Sequence, residues 1–176
     1  MDKRYFLTAG ALLATLALIT SGCTTTGGST GDPAARRQAL DAGADSALTR
    51  LYSEAAGSQE LVRSARGVLV FPTFVSAGFI VGGAHGQGVL RKGGKSVGFF
   101  SMTEGSVGLL AGAQSQAVFV LFMTQEALAK FEASNTWTAG VDGSVALINV
   151  GATASVSTQT AQQPIIGYVL TNSGLM

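Results

Sequence analysis

The residues whose types and spacing best fit a chemistry are the cations. Arg91 and Lys92 precede Gly93-Gly94 and Lys95 follows it, so three positive charges flank one tight turn. Arg63 and Arg66 stand three apart at the end of a short predicted helix, which places them on one face. Arg36 and Arg37 open an earlier helix. Such groups suit a phosphate-bearing head group, which Arg grips as a fork and Lys meets as a mobile point charge. Beside an anionic bilayer each basic group contributes about 1 kcal/mol, so several together are significant. Acid–base and metal chemistry have less to stand on. His85 is the single histidine and lies in a glycine-rich apolar stretch, where an imidazole more often completes a local contact than acts as a base. The ten acidic residues are scattered, with no pair at general acid–base spacing and no ligand cluster. No G-x-S-x-G elbow occurs, and Arg91 stands where a dinucleotide fingerprint starting at Gly86-Gln87-Gly88 needs glycine. No catalytic residue, metal site or cofactor is expected.

Cys23, the single cysteine, has a different setting. Met1-Asp2-Lys3-Arg4 leads into an apolar run from Leu7 to Ile19 and then Thr20-Ser21-Gly22-Cys23. A basic start, a short apolar core and small residues before a cleavage point describe a secretory signal. The cysteine at the new N-terminus resembles the lipobox of bacterial lipoproteins, with Thr20 where leucine is usual. That resemblance implies removal of residues 1–22, acylation of Cys23, and anchorage to a membrane surface. The non-acidic Thr24 implies sorting to the outer membrane, in the manner of Gram-negative lipoproteins. Losing Asp2, Lys3 and Arg4 takes eleven basic groups to nine and ten acidic groups to nine. A neutral mature chain offers no field for nucleic acid. A lipidated Cys23 leaves no thiol for a disulfide or a metal cluster.

The elements that must position these groups follow from patterning. Residues 23–31 are rich in Thr, Gly and Ser and read as a flexible tether before one domain, 32–176. Asp32-Pro33 reads as an N-cap and first turn. Leu40, Ala44, Ala47, Leu48, Leu51, Tyr52 and Ala55 then recur at helical spacing, and this helix ends near Gly57. Ser58 caps a second short helix, with Leu61, Val62 and Ala65 apolar and Gly67 as its stop. Beyond Gly67 come short β-branched and aromatic runs: 68–71, 74–81, 89–90, 97–100, 107–110 and 117–123, then 141–150, 152–156 and 165–170. A further helix begins at Thr124-Gln125-Glu126, with Leu128 and Phe131 inward, and Gln159 to Gln163 form a polar connection.

Twenty-four glycines in 176 residues is about twice ordinary usage and fits sharply bent strands or close backbone approach. Three long stretches lack charge, and Gly78, Gly82 and Gly86 show the four-residue spacing of close-packed membrane helices. Pro72, His85, Gln87 and the Gln114-Ser115-Gln116 run argue against such helices, because polar side chains facing lipid are costly. Buried strands account for the same low charge. The predicted class is α+β: N-terminal helices packed on a strongly curved, mainly antiparallel sheet or a closed barrel, with one helix near 124–133.

Several blocks together are similar to the SYLF domain family. Ala65-Arg66-Gly67-Val68-Leu69-Val70-Phe71-Pro72 matches its A-x-G-V-x-x-F-P opening, and Gly78-Phe79-Ile80-Val81-Gly82-Gly83-Ala84-His85-Gly86-Gln87-Gly88 matches its glycine motif. Glu104-Gly105-Ser106-Val107-Gly108, Ala111-Gly112-Ala113-Gln114, the helix from Glu126 to Phe131 and Gly140-Val141-Asp142 continue the likeness, which spans about Asp32 to Met176. Phe99-Phe100-Ser101-Met102 replaces a Trp-Ser-Pro element, and Ser115-Gln116 replaces a glycine or acidic position. The resemblance implies lipid binding, to phosphoinositides among eukaryotic relatives, with actin binding through appended regions in some. For this chain it implies contact with anionic head groups, with Arg91, Lys92, Lys95, Arg63 and Arg66 as candidates. The alternative is an interaction lipoprotein that presents a rigid domain to an envelope protein, peptidoglycan or a host surface.

Overall fold

The structure is a computed structural model that describes residues 32–78, 81–107, 112–134, 136–139, 141–150 and 162–175. The expected signal (1–22), tether (23–31) and strand at 152–156 lie outside the described residues. Residues 32–176 form a compact unit of their own.

Helix α1 (Pro33–Glu54) starts as the sequence dictates. The Asp32 carboxylate accepts a hydrogen bond from the Ala34 N–H at 3.0 Å, and Pro33 occupies the first turn, where its missing donor costs nothing. Helix α2 (Ser58–Ser64) follows Gly57, whose φ of +79° makes the left-handed turn between the two helices. Gly57, and not Ser58, is therefore the cap. Ser58 is buried, and its hydroxyl donates to the Leu51 carbonyl at 3.1 Å, tying α2 to α1. Thr124 caps α3 (Gln125–Ala133) by accepting from the Ala127 N–H.

The strands are β1 (Gly67–Gly78), β2 (Val81–Lys92), β3 (Lys95–Val107), β4 (Gly112–Phe122), β5 (Ala146–Val150) and β6 (Ile165–Leu175), in the order β3-β2-β1-β4-β6-β5. Among the described residues the sheet is open, with β3 and β5 at its edges, so these strands do not form the barrel alternative. All pairings are antiparallel except β5 with β6, which is parallel. Closure is unnecessary because helices cover both faces. Val68, Val70, Val89, Phe119, Leu121 and Tyr168 pack with Leu48 and Leu51 of α1. Leu69, Phe71, Leu90, Val120 and Phe122 pack with Leu128 and Phe131 of α3. Each such side chain, fully buried, contributes about 1.5–3 kcal/mol.

Pro72 cannot donate to a ladder, and the register of β1 slips there against both neighbours. The slip brings Phe71 and Phe74 to the same face, edge to face at 6.5 Å. Gly86 and Gly88 lie beneath those rings. The segment read as a strand over 141–150 is a turn up to Asp142, and only 146–150 pair with a neighbouring strand. No helix among the described residues is long and apolar enough to cross a membrane.

Candidate functional site

Side-chain alternation at the end of β2 decides the fate of the turn cations. Val89 faces α1 and Leu90 faces α3, so Arg91 turns to α1 and Lys92 to α3. Arg91 meets two carboxylates one turn apart on α1. Its Nη1 pairs with Asp45, while its Nη2 lies 3.5 Å from the Asp41 carboxylate and donates to the Asp41 carbonyl at 2.9 Å. Its side chain is 12% exposed. The Ser96 hydroxyl donates to the same Asp41 carboxylate. On the other face the Lys92 ammonium lies 2.5 Å from Glu132 of α3. Lys95 is exposed and has no ion pair among the described residues. The three cations thus form no common cluster: two fasten helices to the sheet and one faces solvent.

The second expected pair is also separated. Helix α2 ends at Ser64, and Ala65 is extended, with ψ at 141°. Arg66 therefore does not share a helical face with Arg63; its backbone N–H donates to the Phe122 carbonyl at 2.8 Å. The tight turn itself forms as expected, with φ of +55° at Gly93 and +78° at Gly94.

What the fold does bring together is Arg63 and Arg91. Both line a pocket of about 460 Å³ between α1, α2 and the β2–β3 turn. Leu48, Thr49 and Tyr52 come from α1, Val62 and Arg63 from α2, Val68 from β1, and Gly93 and Gly94 from the rim. Burial pushes the Tyr52 phenol above its ordinary pKa, against the opposing pull of the Arg63 and Arg91 guanidinium groups. The hydroxyl is therefore a protonated donor at neutral pH. Arg91 Nε is buried and has no hydrogen-bond partner among the described residues. Arg63 is exposed and makes no ion pair among the described residues. The arrangement can hold an anion at its cationic side and an aliphatic body against Leu48, Val62 and Val68.

Sequence reasoning missed Tyr52 and Thr49 as wall residues. Tyr52 falls on the apolar stripe of α1, where its ring reads as core, and Thr49 reads as an ordinary exposed position. Elsewhere, the Arg37 guanidinium sits 5.6 Å from the centre of the Phe99 ring. His85 is exposed, and its Nδ1 lies 3.0 Å from the Thr103 hydroxyl across the β2–β3 ladder. No group of three metal-binding side chains occurs among the described residues.

Fold and pocket together define an α+β domain with one open mixed sheet between two helical layers and a mixed cationic and apolar pocket under one layer. Residues 103–176 match the family model described as Ysc84, Las17-binding protein actin regulator. The match begins within β3, so the glycine motif of β2 lies outside it. No curated protein matches the chain.

Proposed function

We propose that this protein is a non-enzymatic, lipid-anchored envelope protein that binds membrane lipids through anionic head groups. The observation that carries the reading is the convergence of Arg63, Arg91 and the Tyr52 hydroxyl on one pocket with aliphatic walls. The SYLF resemblance supports it, because it implies lipid contact. The pattern ending in Cys23 supports acylation of that thiol, removal of residues 1–22 and placement at the outer membrane. Anchored in this way, the domain works beside the lipids it binds, and each interaction becomes effectively intramolecular.

Co-sedimentation with vesicles tests the reading. The chain from Thr24 onward keeps the whole compact unit and lacks the acylated thiol. It should sediment with vesicles containing phosphatidylglycerol and not with pure phosphatidylcholine, and added salt should release it. Equal behaviour with both vesicles refutes anionic lipid binding. Mass spectrometry of membrane-extracted protein should find acyl chains on Cys23, and an unmodified Cys23 refutes the anchor.

A second reading, an interaction lipoprotein, draws on the β3 edge. Among the described residues this strand has a neighbour on one side only, and it carries exposed Val97 and Phe99. Specific recovery of one envelope protein, together with no vesicle affinity, would favour it.

A further inference from the structure

We infer that the pocket between α1, α2 and the β2–β3 turn takes one molecule of an amphiphile bearing a single negative charge, with its anionic group at Arg63 and its chain against Leu48, Val62 and Val68. The inference rests on the lipid-binding reading and narrows it from adsorption on a surface to occupancy of one site.

Charge sets the valence. Arg91 is already engaged by Asp41 and Asp45, so its positive charge is matched. Arg63 is left as the cation without an ion pair on the wall. Asp45 lines the same pocket and repels additional negative charge. A phosphodiester or a carboxylate meets one free guanidinium and finds no surplus repulsion. A phosphomonoester dianion or a polyphosphorylated ring would place its further charges against Asp45. The Tyr52 hydroxyl, protonated at neutral pH, adds a donor on the anion side.

Shape sets the rest of the ligand. A volume of about 460 Å³ falls within the range of small-molecule sites. Leu48, Val62, Ala65 and Val68 give the pocket aliphatic lining suited to a hydrocarbon chain. At the rim, side chains at positions 93 and 94 are reduced to hydrogen, and a Cβ built on either would meet nothing within 4 Å, so the mouth is open. Membrane phosphodiester lipids and free fatty acids share the required chemistry.

Titration calorimetry with soluble monomers distinguishes these sources. The chain from Thr24 is titrated with dihexanoylphosphatidylglycerol, dihexanoylphosphatidylcholine, decanoate and inorganic phosphate. One site should appear, with phosphatidylglycerol or decanoate at least about tenfold tighter than phosphatidylcholine or phosphate, because the latter two each lack half of the complementarity. The tighter of the two anionic amphiphiles identifies the source. Arg63→Gln should weaken binding about tenfold at unchanged thermal stability. Thr49→Trp, at an exposed wall position, should block the pocket without altering charge. Inorganic phosphate binding as tightly as the amphiphiles overturns the proposal, as does amphiphile binding indifferent to both substitutions, or no binding at all. Vesicle binding without monomer binding removes the pocket and leaves the lipid-binding reading standing. Monomer binding without a preference for anionic vesicles does the reverse.

Discussion

Replacing Gly88 with alanine tests why this sheet needs glycine in β2. A Cβ built there would lie 2.6 Å from Cδ1 and 2.7 Å from Cε1 of Phe71, and 2.9 Å from the Val70 carbonyl oxygen. The ring cannot swing aside, because Phe71 is 2% exposed and is held against Phe74. The carbonyl cannot yield either, since β1 is paired on both sides. Overpacking of this kind costs about 1–3 kcal/mol, and a backbone clash puts it near the upper end. The loss of glycine's freedom in the unfolded chain returns about 0.4–1 kcal/mol. The net expectation is a destabilisation of about 2 kcal/mol. For a domain of this size that lowers Tm by roughly 4–8 °C. Gly105→Ala is the matched control in β3, where a Cβ meets nothing within 4 Å, and it should melt at or slightly above the parent temperature. Gly98→Ala falls between them, because its obstacle is a side chain, the half-buried Phe100 ring, and not a backbone atom. Calorimetric melting of the three variants decides the matter. Equal losses for Gly88→Ala and Gly105→Ala would refute the steric argument.

Four further outcomes follow from the clamps and the buried Tyr168 phenol. Arg91→Met should cost about 2–3 kcal/mol in urea unfolding, mostly from the lost charged hydrogen bond to the Asp41 carbonyl and little from the more exposed Asp45. Lys92→Met, whose pair with Glu132 is more exposed, should cost no more than about 1 kcal/mol, and a larger loss than for Arg91→Met would contradict the assignment. Tyr168 is fully buried, and its hydroxyl has no hydrogen-bond partner among the described residues, so Tyr168→Phe should leave stability unchanged or raise it by up to about 1 kcal/mol. Burial also raises the Tyr168 pKa above the unfolded value of 10.0, so the native state keeps a proton that the unfolded chain has lost. Stability should therefore be complete below pH 10 and fall as pH rises toward the raised native value. Denaturant melts across that window should show a shallower fall for Tyr168→Phe.

Local chemistry was the legible part of this chain. Asp32-Pro33, Gly93-Gly94 and Thr124 announce a helix start, a tight turn and another helix start, because each acts on backbone groups within a few residues. The open sheet and the parallel β5–β6 pair were not legible, since both depend on which distant strands meet. The cations show the same divide. Nothing near Arg91 in sequence reveals that Asp41 and Asp45 will lie across from it, fifty and forty-six positions away. Basic residues around a turn look like a free cluster until helices arrive on both faces. The pocket at Arg63 arises from the same long-range placement, with Tyr52 contributed by a helix whose pattern marked it as core.

Strand β6 comes last in order yet lies between β4 and β5. Among the described residues β5 pairs with β6 alone, so residues 146–150 join this sheet only through residues 165–175, which carry the buried Ile166, Tyr168 and Leu170. β5 therefore waits for β6: until residues 165–175 zip onto β4, residues 146–150 hang as an unclaimed segment, while the ladders of β1 to β4 can already stand.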